Sequence, residues 1–244
     1  MKDLFFSITS NRPLTAAVFE MRLSGDTSDI TAAGQFVNIR LDGLYLRRPI
    51  SVCSVDGSEL TLVYKVVGKG TEKMSEMKPG QTLQVLTGLG NGYSLPVAGE
   101  RPLLLGGGVG VPPLYELAKR LRAENREVCV VLGFNTADEV FYEEEFRSLG
   151  CSVTVATADG SYGEKGFVTD CLPQDYTYVY TCGPEPMLRA VYGCIKTSGQ
   201  FSFEERMGCG FGACMGCSCK TVTGYKRICR DGPVLRKEEI LWAD

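Results

Sequence analysis

The stretch Glu205–Leu235, ERMGCGFGACMGCSCKTVTGYKRICRDGPVL, is the most informative in the chain. Cys209, Cys214, Cys217 and Cys229 are spaced C-x4-C-x2-C-x11-C, following the C-x4-C-x2-C…C order in which thiolates hold a 2Fe-2S cluster. A loop wrapped around a cluster must approach it with bare backbone. Gly208, Gly210, Gly212, Ala213 and Gly216 supply that, since small residues allow tight turns and amides aimed at the sulfides.

A structural zinc site and uncoordinated thiols are the alternatives. Zinc knots pair C-x2-C with a second C-x2-C or with His, whereas here one C-x2-C is preceded by x4 and the chain has no His. Cys219 competes for the fourth ligand position. Cys229 is favoured because it completes the C-x4-C-x2-C…C order.

The rest of the composition narrows the chemistry. The 244 residues include eleven Cys and no His, which excludes Ser-His-Asp and Cys-His nucleophile pairs, HExxH metal sites and Rieske-type clusters. An odd cysteine count in a chain this long argues against a disulfide framework and for a reducing, cytoplasmic setting. The N-terminus MKDLFFSITSNRP lacks the pattern of a signal peptide, and no apolar run approaches the roughly 18 to 20 residues of a membrane helix; a soluble protein is expected. With 26 basic and 29 acidic residues and no basic stripe, nucleic acid is not an expected partner. Cys53, Cys129, Cys151, Cys171 and Cys194 lie in strand or helix patterns and are expected to be small buried apolar residues.

Upstream of the cysteine stretch the chain divides in two. FFSITS, LTAAVFEMRL, QFVNIRL, ISVCSVDG, ELTLVYKVV and TLQVLTGLG read as short strands broken by turns, with TEKMSEM the one good helix candidate; this is the pattern of a small antiparallel barrel or sandwich. From Arg101, strands PLLLGG, EVCVVLGF, SVTVATA and YTYVYTCG alternate with helical stretches, which predicts a parallel sheet covered on both faces. Regular patterning ends near Gly199, and the Cys- and Gly-rich remainder is expected to draw stability from a bound metal.

Three turns could carry ligands. Gly106, Gly107, Gly108 and Gly110 lie between a strand and a helix opened by Pro112 and Pro113, where a helix N-terminus favours a pyrophosphate. The register is neither GxGxxG nor Walker A, so a purely structural turn remains open. Cys182, Gly183 and Pro184 close a strand at the same sheet edge, if the strands are parallel. In the first region, LRRPISVCS and VYKVVGKGT offer Arg48 and a Gly-Lys-Gly-Thr turn, which could equally be a solvated strand end and an ordinary turn.

Taken in order, RRPIS, VYK…GKGT, GGGVGVPP, CGPEPM and ERMGCGFGACMGC…CRDGPVL resemble the ferredoxin-reductase-type flavoproteins, and most closely the electron-transfer subunits of class 1B dihydroorotate dehydrogenase. The resemblance covers nearly the whole chain. It implies an N-terminal antiparallel FAD-binding β-barrel over 1–98, a parallel-sheet α/β NAD-binding domain over 99–199 and a small 2Fe-2S domain over 200–244.

The resemblance also implies site residues. Arg48, Pro49, Ile50 and Ser51 match the flavin motif, with Arg48 on the FAD pyrophosphate and Ser51 near the isoalloxazine; Val63, Tyr64, Lys65, Gly70 and Thr71 match further FAD contacts. Gly107, Gly108, Gly110 and Pro112 match the nicotinamide-dinucleotide turn, and Cys182, Gly183 and Pro184 the motif beside the nicotinamide. Ser51 and Cys182 are thus expected at the reacting centre. The cluster ligands are Cys209, Cys214, Cys217 and Cys229. The spacer before Cys229 is shorter than in some relatives.

The implied activity is NAD-linked electron transfer through FAD and a 2Fe-2S cluster, to or from the FMN of a partner dihydroorotate dehydrogenase subunit of pyrimidine biosynthesis, in a heterotetramer of two of each chain. Past the second strand of the α/β region, Asp138, Glu139 and Glu143 to Glu145 stand where an NADP site supplies Arg or Lys, so NADH is expected. The competing readings are the small flavin subunit of an NADH-dependent ferredoxin:NADP oxidoreductase or a sulfhydrogenase, and, in another class, a non-catalytic redox sensor or zinc-stabilised interaction module.

Overall fold

A computed structural model describes residues 1–242; Ala243 and Asp244, at the end of the expected third domain, lie outside the described residues.

The first unit is a closed barrel of β1 (Asp3–Pro13), β2 (Val18–Ser24), β3 (Phe36–Arg40), β4 (Arg48–Asp56), β5 (Glu59–Lys65) and β6 (Thr82–Leu89), in the order β1-β2-β5-β4-β3-β6. Every pairing is antiparallel. Strand alternation decides which side chains go inside. Val37 and Ile39 of β3 and Leu60, Leu62 and Tyr64 of β5 fill the interior, and Met74 of α1 (Lys69–Glu76) closes one end. The intervening Phe36 and Val63 pack outward against the rest of the molecule.

The second unit is a seven-stranded sheet. It contains β7 (Pro102–Gly107), β8 (Cys129–Phe134), β9 (Ser152–Thr157), β10 (Glu164–Lys165), β11 (Tyr178–Cys182) and β12 (Gly199–Ser202), all parallel, with α2 (Pro112–Ala123), α3 (Glu143–Ser148) and α4 (Glu185–Cys194) between them. Helix α2 begins with two prolines whose fixed φ suits a first turn. Its buried Leu114, Leu117, Ala118 and Leu121 recur at helical spacing and face the sheet. The order β10-β9-β8-β7-β11-β12 reverses direction between β7 and β11, which opens a crevice at the carboxyl ends of those strands.

The last segment forms a hairpin of β13 (Ser218–Thr221) and β14 (Gly224–Arg227), the single turn α5 (Ile228–Asp231), and β15 (Val234–Arg236), which pairs antiparallel with β12 as the edge of the large sheet. Two expectations change here. The boundary expected at 199/200 cuts through β12, a buried four-residue strand too short to show periodicity. The tail also buries more apolar surface than its composition suggests, because Ile228, Val234, Leu235 and Ile240 enter the apolar cores.

Polar contacts, the first of them buried, lock the barrel to α2 and to the start of α3. Tyr142 donates to Glu20 at 2.9 Å, Lys119 reaches Ser54 and Asp56 at 2.7 Å each, and the Val55 amide donates to Glu116 at 3.2 Å. Such contacts hold two walls of one crevice in a fixed relation. Among the described residues no helix is long and apolar enough to cross a membrane.

Candidate functional site

A cleft of about 670 Å³ lies where the barrel meets the carboxyl edge of the sheet. Pro49, Ser51 and Lys65 line its barrel side; Gly107, Gly108, Gly110, Cys182, Gly183 and Pro184 line the sheet side. Strand alternation explains which of the expected barrel residues reach it. Pro49 and Ser51 face out from β4, whereas Ile50 packs with the barrel interior and Tyr64 is buried there, donating to Asn11 Oδ1 at 3.1 Å. Val63 is buried between barrel and sheet. Ile50, Val63 and Tyr64 therefore do not present their side chains to the cleft, and they can serve a ligand there only through backbone and packing.

Arg48 begins β4 and lies on the first turn of α1. Its Nη1 donates to the Leu46 carbonyl, and a Cβ at Gly70 would stand 2.0 Å from its Nε. Thr71 braces the turn by accepting from the Val67 amide at 2.9 Å and donating to the Gly68 carbonyl at 3.0 Å. A guanidinium set on a helix start is an anion cradle with the charge for a pyrophosphate.

On the sheet side the two turns touch. A Cβ at Gly107 would stand 2.5 Å from Met187 Sδ, and Gly108 has φ +50, a conformation that glycine adopts without strain. Pro112 does not line the cleft but starts α2 beneath this turn. Cys182 sits opposite Ser202 in the parallel register, and burial pushes its thiol up to about 12. It is a neutral thiol at physiological pH.

Of the acids weighed for nicotinamide choice, Glu139 lines the cleft. Its Oε2 accepts from the Asn135 amide at 3.1 Å and from Asn135 Nδ2 at 2.7 Å. Glu143 instead pairs with Arg147 at 2.6 Å and accepts from the Tyr162 hydroxyl, while Asp138, Glu144 and Glu145 do not line the cleft.

The cleft has walls that the motifs did not indicate. Asn135, Phe167 and Thr169 come from the loops after β8 and β10, and Phe203, Glu204, Glu205 and Met207 from the linker after β12. Asn135 was accessible to reasoning, because strand ends at a switch point face ligand; the linker carries no periodic signal.

The four cysteines form two pairs. The Cys209 amide donates to Cys214 Sγ at 3.5 Å, and the amides of Phe211, Ala213 and Cys214 donate to Cys209 Sγ at 3.5, 3.2 and 3.4 Å. The Cys229 amide donates to Cys217 Sγ at 3.4 Å. Among the described residues no three potential ligands converge as they would around one ion. Two pairs of thiols suit two irons, each taking two thiolates, which favours the cluster over a single zinc.

The electrostatics around Cys209 fit as well. Burial opposes ionisation of Cys209, but the amides of Cys214, Phe211 and Ala213 overcome it and bring the thiol down to about 6. Amides that stabilise a thiolate also suit a negatively charged cluster. Cys229 is pushed up to about 12 by burial and then by its neighbour Cys217. Cys219 lies on β13 with its side chain against the second apolar core. Of the remaining cysteines, Cys53 and Cys151 are buried, Cys129 and Cys171 are half-buried, and Cys194 is exposed at the end of α4, where the helix turns its last residues to solvent.

Comparison with known proteins follows this geometry. Residues 204–241 match the family model of the iron-sulfur cluster binding domain of dihydroorotate dehydrogenase B, and residues 104–192 match the oxidoreductase NAD-binding domain. The chain is 44% identical to the dihydroorotate dehydrogenase B (NAD(+)) electron transfer subunit of Geobacillus sp. (strain WCH70), covering 99% of both chains. It is 42% identical to the subunit of the same name from Bacillus pumilus (strain SAFR-032), covering 98% of both. A solved structure of an NADH-dependent reduced ferredoxin-NADP oxidoreductase superposes with a TM-score of 0.88 at 30% identity, over 97% of this chain and 90% of that one.

Proposed function

The chain belongs to the family of dihydroorotate dehydrogenase B electron-transfer subunits, and on that premise we propose a division of labour between its cleft and its cysteine loop. It is a component of an NAD-linked oxidoreductase, passing electrons among NAD(H), FAD and a 2Fe-2S cluster and working with a catalytic subunit. When bound, FAD supplies the exchange between a two-electron hydride and single electrons, and the cluster supplies a one-electron relay.

The residues of this chain bind and orient. Arg48, Gly70 and Thr71 hold the FAD pyrophosphate at the start of α1, while Pro49, Ser51 and Lys65 form the wall for the flavin ring. Ile50, Val63 and Tyr64 stiffen that wall from behind. Gly107, Gly108 and Gly110, on the helix opened by Pro112, receive the nicotinamide dinucleotide; Cys182, Gly183 and Pro184 border its nicotinamide end. The neutral Cys182 thiol leaves that end without a competing charge, and Ser51 faces the same cleft from the barrel. Glu139 repels a 2′-phosphate and favours NAD(H) over NADP(H). Hydride transfer to a flavin needs positioning rather than an imidazole base, so a chain without His is adequate.

Cys209 and Cys214 would hold one iron, Cys217 and Cys229 the other. The observation that carries the reading is that the segments bracketing the cysteine loop, through Met207 on one side and Pro233 on the other, line the cleft itself. The catalytic partner is read as an FMN-containing dihydroorotate dehydrogenase subunit, two of each chain in a heterotetramer, in the cytoplasm, where eleven free cysteines stay reduced.

Co-expression with such a subunit tests this. A complex that reduces NAD+ with dihydroorotate, and shows flavin bands over broad iron-sulfur absorption, is expected. A colourless zinc protein, or a flavoprotein that does not associate with that subunit, would reject the assignment.

A further inference from the structure

Asn38 on β3 is 1% exposed, yet its Oδ1 has no hydrogen-bond partner among the described residues. A buried amide with an orphaned oxygen costs stability, and an apolar residue of the same size would avoid the cost. Packing alone does not account for an asparagine here.

Its neighbours do. Across the ladder Asn38 stands opposite Pro49, and Phe36, on the same outward face of β3, stands opposite Ser51; Phe36, Pro49 and Ser51 all line the cleft. In the other direction, Asn38 Nδ2 donates to the carbonyl oxygen of Cys209 at 3.3 Å. The next residue, Gly210, has φ +80, and a Cβ there would stand 2.3 Å from Asn38 Nδ2. The cysteine loop therefore lies directly on this side chain. Arg47 steadies the strand from the far side, donating to the Asn38 carbonyl at 3.4 Å while it grips Asp3.

We propose that Asn38 is a positioning residue that pins the Cys209–Gly210 turn to the barrel strand beside the flavin wall, and so fixes the separation across which single electrons pass. The inference rests on the reading above, in which Cys209 is a cluster ligand and the Pro49–Ser51 wall holds the flavin. Single-electron transfer weakens steeply with distance, so a turn that is docked only part of the time passes electrons only part of the time. One hydrogen bond shifts such a docking equilibrium by up to about tenfold.

The test uses the full chain loaded with FAD and cluster, as wild type, Asn38→Leu and Asn38→Ser. Leucine fills the space and removes the orphaned oxygen, so the melting temperature is not lowered; serine keeps a hydroxyl but cannot reach Cys209. Both variants keep FAD and iron, and NADH reduces their flavin at the wild-type rate. Flavin-to-cluster transfer then falls by up to about tenfold, and the paramagnetic resonance of the reduced cluster broadens because the turn is heterogeneous. Wild-type transfer and an unchanged resonance in both variants would overturn the proposal, as would loss of FAD in step with the slowed transfer. Wild-type protein without a 2Fe-2S resonance would refute the underlying cluster reading instead.

Discussion

Gly110 lies directly on the backbone of Cys182: a Cβ at Gly110 would stand 2.3 Å from the Cys182 carbonyl oxygen and 2.6 Å from the Gly183 amide nitrogen. The two turns of the sheet edge are therefore packed backbone to backbone, with no room for a side chain between them. Gly110→Ala forces them apart at an overpacking cost of about 1 to 3 kcal/mol. NADH-dependent flavin reduction in stopped flow should slow by about tenfold or more, while FAD content stays at the wild-type level because the barrel is untouched. Wild-type reduction in the variant would show that the nicotinamide does not bind against these turns.

Arg48 and Gly70 make a second dependent pair. Arg48→Ala removes a charge-assisted contact worth about 1.5 to 3 kcal/mol, and FAD titrated into flavin-free protein should bind roughly ten- to a hundredfold more weakly. Gly70→Ala should weaken FAD in the same direction, since the new methyl displaces the guanidinium. Undiminished FAD content in both would remove the pyrophosphate cradle from the account.

The paired thiols distinguish the two candidates for the fourth ligand. Cys229 approaches Cys217 through its amide, whereas Cys219 sits within the β13–β14 hairpin, opposite Lys226. Cys219→Ser should keep full iron and sulfide content and the resonance of the reduced cluster. Cys229→Ser should lose them. The opposite result would make Cys219 the ligand.

Asp3 and Arg47 give a pH prediction. Arg47 donates to both Asp3 oxygens, at 2.9 and 2.7 Å, and holds the Asp3 carboxyl below its ordinary value of 3.8. A carboxylate depressed in the folded state contributes stability above its unfolded value and loses it as pH falls through the folded one. In urea denaturation Asp3→Asn should be less stable than wild type at neutral pH, by under about 1 kcal/mol for so exposed a pair. The difference should shrink below the ordinary carboxylate range, and a constant difference across pH would contradict this origin.

Much of this molecule can be read from residues alone where the physics is local. The strand spacing of the first region, the βα alternation after Arg101 and the cysteine spacing each need only near neighbours in the chain, and they lead to the barrel, the sheet and the paired thiols. The contribution of β15 to the large sheet depends on a three-residue strand meeting β12, a contact made by tertiary packing that no short pattern encodes. Alternation along β4 and β5 turns the Ile50 and Tyr64 side chains inward, a direction that the strand period gives and a motif match does not. Asn38 had no motif at all, since its part is visible only once the Cys209 turn, 171 residues away, is laid against it.

The central claim is that electrons entering at the cleft leave through the cysteine loop. The most direct measurement is stopped flow on Cys214→Ser in complex with the FMN-containing catalytic subunit, following flavin and FMN absorbance after NADH is mixed in. The account predicts that NADH still reduces the flavin of this chain while reduction of the partner's FMN is lost together with the cluster. Wild-type reduction of that FMN by a variant without a cluster would contradict it.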